Sequence, residues 1–215
     1  MSCIFPYYVT YHVFSVKIEL TQLQINIMMQ IRELLEDTAE AKMPHLYLDM
    51  DGVQADFFHA WAQKHNVSTY KAIPNPEKAI NELATSSPEQ VYQFFKDLKP
   101  LTGGMRIIMW LKDNKIPYTV LSAPLRGPFK QSSIDGKKHW LDQYNPGTSG
   151  EAIFTSGKFK YATQDGEPNV LVDDFGKYLE AWSNAGGIAV KHEDDNTAQT
   201  IHELEKIYGP YIHKP

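Results

Sequence analysis

A single cysteine, Cys3, stands in the 215 residues, which excludes an internal disulfide and any zinc cage built on thiolates. Long apolar runs are missing too. Lys17, Glu19, Gln22, Gln24 and Asn26 interrupt the only apolar stretch near the start, so no run approaches the roughly 18 residues that a membrane span needs. The same stretch has no basic leader and no small-residue cleavage site, the marks of a secretory signal. These absences point to a cytoplasmic protein with no membrane partner. Positive charge is in short supply: 21 lysines and arginines against 26 acids give a net charge of −5. A chain of that sign repels a polyanion, so no nucleic-acid polymer is expected as a partner. Repeats and low-complexity tracts are absent. What remains, 42% hydrophobic and 22% charged, suits one globular core with room for a small insert.

Residues 1–29 stand apart as an N-terminal extension. Tyr8 to Glu19 alternates loosely like a strand but has no turn signal and no evident partner. The pair Met28-Met29 precedes a helical pattern from Gln30 to Ala41, which lacks glycine and proline. From Pro44 onward, short apolar runs alternate with helical patterns. The runs are His45 to Leu48, Pro117 to Ser122, Ala152 to Thr155, Asn169 to Asp173 and Gly187 to Lys191. The helical patterns are Asp56 to His65, Met105 to Asn114, Ser132 to Tyr144, Phe175 to Ala185 and Thr197 to Tyr208. This alternation predicts an α/β fold with a mainly parallel sheet covered on both faces. The interval between the first two strands is too long for one crossover helix and contains Pro74, Pro76, Ser86, Ser87 and Pro88. Residues 58–103 are therefore read as a helical insertion, with residues 30–57 and 104–215 as the core.

Chemistry concentrates at the ends of the strands. In Leu48-Asp49-Met50-Asp51-Gly52-Val53, two acids one residue apart leave a strand on the same side, at the sheet edge where open α/β sheets bind ligands. One carboxylate can hold a hard cation while the other moves a proton. A calcium loop is excluded, because Gln54 and Ala60 stand where its glycine and glutamate belong. Val170-Leu171-Val172-Asp173-Asp174 brings a second pair of acids to the same edge. Together they predict an all-oxygen site that suits magnesium; the alternative role for Asp174 is to cap the next helix. Ser122 and Lys158, near the ends of two other strands, are suited to offset a phosphoryl charge among carboxylates. His59, His65, His139, His192 and His202 form no spaced ligand set.

In this order the pieces resemble the haloacid dehalogenase (HAD) superfamily of phosphohydrolases, whose four motifs are matched by Asp49 to Val53, Ser122, Lys158 and Asp173-Asp174. The likeness is closer to the 5′(3′)-deoxyribonucleotidase branch. It rests on Ala55-Asp56-Phe57, Phe94 to Pro100, Leu121 to Arg126, and Lys137-Lys138-His139-Trp140. The resemblance implies a three-layer Rossmann-like HAD core, a small helical cap after the first strand, and magnesium-dependent phosphomonoester hydrolysis. It implies Asp49 as nucleophile and Asp51 as general acid and base. Ser122 and Lys158 would hold the phosphoryl group, with Lys160 as the rival lysine. Asp49, the Asp51 carbonyl and Asp174 would bind the metal, supported by Asp173. Phe57, Ala123, Arg126 and Lys137 are the implied substrate contacts, and a deoxynucleoside monophosphate is the implied substrate. The alternatives are another small phosphorylated metabolite, or a non-catalytic phosphate-binding module on the same fold. Gln54 stands where this branch usually has an apolar residue, which suggests a more polar substrate pocket.

Overall fold

The computed structural model describes residues 24–30, 42–75 and 87–212. It divides into two compact units, residues 1–43 and 44–215. In the first unit, residues 24–30 are helical and exposed. The expected strand over 8–19 and the expected helix beyond residue 30 lie outside the described residues.

The second unit is built on a five-stranded, wholly parallel sheet. Its strands are β1 (Leu46–Leu48), β2 (Tyr118–Ser122), β3 (Ile153–Phe154), β6 (Val170–Asp173) and β7 (Ile188–Lys191), in the spatial order β3-β2-β1-β6-β7. β1 is central: Leu46 pairs with both Tyr118 and Val170, and all three of its residues are buried. Such a strand must be apolar on both faces. Between β3 and β6 a two-residue turn at Asp165-Gly166, both with positive φ, closes a small hairpin of β4 (Thr163–Gln164) and β5 (Glu167–Pro168).

Alternate residues in the strands and just beyond β1 feed two cores. Met50 and Val120 join Phe57, Trp61, Val91, Phe95, Leu98, Trp140 and Leu141 on one side. Tyr47, Leu121 and Leu171 join Leu179 and Trp182 on the other. The first core receives α1 (Phe57–Lys64), α2 (Pro88–Lys96) and α4 (Lys130–Tyr144). The second receives α5 (Gly176–Asn184). α3 (Thr102–Asp113) and α6 (Thr197–Tyr208) complete the unit, and the Tyr208 hydroxyl donates to the carbonyl of Pro44 at 3.1 Å. α2 starts on a capping box in which Ser87 and Gln90 satisfy each other's backbone N–H groups, with Pro88 at its first turn.

Within segment 58–103, the described residues 58–75 and 87–103 share a buried core with the sheet. Phe95 and Leu98 pack beside Val120 and Trp140, and the Trp140 indole donates to the carbonyl of Leu98 at 2.7 Å. Close approach of α2 and α4 depends on Gly136, where a β-carbon would lie 2.5 Å from the carbonyl oxygen of Tyr92.

Candidate active site

Connections leave β1 toward β2 and β3 but leave β6 toward β7, so the strand order reverses between β1 and β6. A crevice at the carboxyl ends of the strands follows from that reversal, and both acidic pairs stand there. The Asp49 N–H donates to the carbonyl of Val172 at 3.0 Å, which joins the two strand ends. Beyond it the chain turns sharply. Gly52 has φ +78°, and a β-carbon there would lie 2.5 Å from Asp174 Oδ2 and 2.7 Å from Phe58 Cε2. Only glycine fits that turn.

Asp49, Asp173 and Asp174 each place a carboxylate oxygen within 4.8 Å of the others. Lys158 Nζ lies between two of them, 2.8 Å from Asp49 Oδ1 and 2.6 Å from Asp173 Oδ2. Burial alone would lower the Lys158 pKa, but the charges of Asp49 and Asp173 override it and hold the ammonium form above its ordinary range. Asp173 is pushed up by burial and by Asp49, against the pull of Lys158 and of the Phe175 N–H that its other oxygen accepts. Asp174 is pushed up to about 8 by burial, then by Asp49 and Asp173. The helix-cap alternative for Asp174 is not what the structure has: α5 takes Phe175 as N-cap, with no side-chain cap bond. Lys160, the rival lysine, is exposed.

Asp51 has a different partner. Lys137, fully buried, donates to Asp51 Oδ2 at 2.6 Å, to Ser122 Oγ at 2.8 Å and to the carbonyl of Ala123 at 2.7 Å. Those bonds use all three ammonium donors, so Lys137 supports Asp51, Ser122 and the Ala123 peptide. Burial raises the Asp51 pKa, opposed by Lys137 and reinforced by Asp49. Its Oδ1 is buried with no hydrogen-bond partner. Arg126 is exposed.

Phe57 does not present the open face expected of it. It is 7% exposed, with Phe95 stacked on it and Phe58, Trp61 and Phe94 around it, because it opens α1 on the core side. The ring beside the acids is Phe58, half-buried over Gly52 and 4.5 Å from the ring of Tyr70. Gln54 is a second correction: it is wholly buried and bonds into the core rather than lining a pocket. Its amide donates to the carbonyl of Asp49 at 2.8 Å. Tyr178, which no sequence motif marks, places its ring 4.6 Å from Lys158 Nζ. Its position three residues past Phe175 at the start of a helix was the one available signal.

A family model described as "5' nucleotidase, deoxy (Pyrimidine), cytosolic type C protein" matches residues 43–205. Among solved structures, the HAD hydrolase, family IA, variant 3, of Entamoeba histolytica HM-1:IMSS is 15% identical. That match covers 78% of this chain and 90% of that one, with a TM-score of 0.42. No curated protein matches the chain.

Proposed function

The chain belongs to the 5' nucleotidase, deoxy (Pyrimidine), cytosolic type C family, and from that premise we propose that it hydrolyses deoxynucleoside monophosphates through an aspartyl phosphate, with magnesium as cofactor. The enzyme class, a HAD-type nucleotidase or phosphatase, follows from the family. The observation that carries the finer reading is the division of labour between two neighbouring acids, Asp49 on Lys158 and Asp51 on Lys137.

Asp49 is the nucleophile. Its carboxylate oxygen forms the bond to phosphorus as the ester P–O bond breaks, and the departing oxygen takes its proton from Asp51. Burial, which raises the Asp51 pKa, favours the protonated form that this step needs. Asp51 then removes a proton from water, which attacks the same phosphorus and returns Asp49 with release of phosphate. Lys158 offsets the phosphoryl charge. Lys137 keeps Asp51 and Ser122 in place.

The donors fit a hard cation: all are oxygens, and three carboxylates converge, those of Asp49 and Asp173 buried and that of Asp174 half-buried. Asp49 and Asp174 would hold magnesium by their carboxylates and Asp51 by its main-chain carbonyl. The bound ion would supply charge neutralisation at the phosphoryl oxygens. Phe58, paired with Tyr70 beside Asp174, is the aromatic face best suited to a nucleobase.

A phosphate-release screen over deoxynucleoside monophosphates and sugar phosphates, with magnesium or with EDTA, tests the reading. Magnesium-dependent release with deoxynucleotides preferred is expected. Undiminished release in EDTA would overturn the cofactor assignment, and a preference for sugar phosphates would overturn the substrate.

A further inference from the structure

We propose that Gln54 is a positioning residue for the acid pair, oriented by a buried relay from Tyr118 through Asn145; the inference rests on the role assigned to Asp49 above. The Tyr118 hydroxyl donates to Asn145 Oδ1 at 2.8 Å, Asn145 Nδ2 donates to Gln54 Oε1 at 3.0 Å, and Gln54 Nε2 donates to the carbonyl of Asp49 at 2.8 Å. Gln54 and Asn145 are both fully buried.

The direction of the relay has one solution. A backbone carbonyl only accepts, so Gln54 must turn its nitrogen to Asp49 and its oxygen to Asn145. Asn145 must then present its nitrogen to Gln54 and its oxygen to Tyr118, which donates. Burial raises the Tyr118 pKa by more than the bond to Asn145 lowers it, so the hydroxyl keeps the proton it gives.

Every polar group of Gln54 is engaged at the turn that carries the acids. Its backbone N–H donates to the carbonyl of Met50 at 2.8 Å, its carbonyl accepts from Leu101 N at 2.8 Å, and its side chain reaches back to Asp49. Successive carbonyls, those of Asp49 and Met50, are thus held by one residue. Asp49 is gripped at three points: its N–H by Val172, its carbonyl by Gln54, its carboxylate by Lys158. Asp51 lies inside the closed turn. A buried amide is costly unless satisfied, and an aliphatic residue would fill the same volume without that cost. What the amide adds is a fixed Asp49–Met50 peptide.

The test uses the full-length protein, p-nitrophenyl phosphate and magnesium, with the magnesium-induced rise in Tm as a second readout that needs no turnover. Gln54→Met keeps length and burial but removes both bonds. It should lower kcat by about 10-fold or more with KM within about 2-fold, as misplacement of reacting groups does, and should at least halve the Tm rise. Gln54→Leu, which likewise makes neither bond, should behave alike. Tyr118→Phe removes only the head of the relay and should lower kcat by a smaller factor, about 3-fold. Parental kcat and a parental Tm rise in Gln54→Met and Tyr118→Phe would overturn the proposal, as would a loss confined to KM. If the parent protein hydrolyses no ester, the nucleotidase reading fails by itself. The magnesium-induced Tm rise then decides the role of Gln54: halved in Gln54→Met supports it, unchanged overturns it.

Discussion

Asp49 sits where three carboxyl groups meet one buried ammonium, and that crowding separates its chemistry from its contribution to stability. Asp49→Asn should abolish phosphate release, because the amide cannot attack phosphorus. Without metal it should leave Tm unchanged or higher, because the charge that helps raise the pKa of Asp173 and Asp174 is removed. Phosphate release and thermal melting on the same preparation check both halves. Asp51→Asn should cost about 10²–10⁴ in rate, the usual worth of a placed proton donor. Among the aromatics, Phe58→Ala should raise KM for a deoxynucleotide by about 5-fold or more if a base stacks there for roughly 1–3 kcal/mol, with little change for p-nitrophenyl phosphate. Phe57→Ala should instead lower Tm, since its ring is packed among four others. Phe57 and Phe58 are adjacent in sequence and both apolar, so only the rotation of α1 about its axis decides which one packs and which one faces the acids.

At the scale of an element, α4 does the most to support the site. It carries Lys137 to Asp51 and Ser122, ends at Asn145 behind Gln54, and packs on α2 through Gly136 and Trp140. Alanine at position 136 would gain up to about 1 kcal/mol of helix propensity. Its β-carbon, however, would meet the Tyr92 carbonyl at 2.5 Å and Phe95 Cβ at 2.9 Å. Overpacking against backbone costs about 1–3 kcal/mol, so Gly136→Ala should lower Tm. It should also reduce kcat, because Lys137 is the next residue; melting curves and steady-state kinetics of the variant check this. The helix itself was legible as a periodic run from Ser132 to Tyr144, and the structure starts it two residues earlier. The hairpin of β4 and β5 was not anticipated, although Asp165-Gly166 is a recognisable turn pair. Strands of two residues leave no alternating pattern to read.

For the molecule as a whole, the site's charge couples stability to pH and to metal. A carboxyl whose folded pKa is raised binds its proton first in the folded state. The metal-free protein therefore gains stability as pH falls from about 8, the value for Asp174, toward the ordinary aspartate range, and loses it as pH rises. Magnesium should raise Tm by about 5–10 °C at a hundredfold excess over its Kd, and by more at pH 8 than at pH 6. His192 contributes with the opposite sign. Burial lowers its pKa against the pull of Asp194, Glu193 and Asp195, so the unfolded chain protonates first and stability is lost as pH falls below about 6.5. His192→Gln should remove that loss, so that Tm at pH 5 relative to pH 7 is higher in the variant than in the parent. The site residues all lie in the unit of residues 44–215, and a chain beginning at Met29 should keep its activity, measured as phosphate release at matched concentration.

The sequence by itself determined the fold class, the parallel sheet and the sheet edge at which chemistry would gather. Those properties follow from local pattern: apolar runs bounded by turns must be buried strands, and acids directly after them must leave at the carboxyl end. It also carried the ordered set of motifs by which the family could be named. Tertiary structure alone decided which partner each charge takes. Lys137 lies 86 residues from Asp51 and Asn145 lies 91 from Gln54, and no periodicity records pairings at that separation. It likewise decided that Lys158 is buried between two acids while Lys160 faces solvent. Gln54 turned inward for a reason of the same kind: its amide is satisfied only by groups that β1, β2 and α4 bring together when the sheet forms.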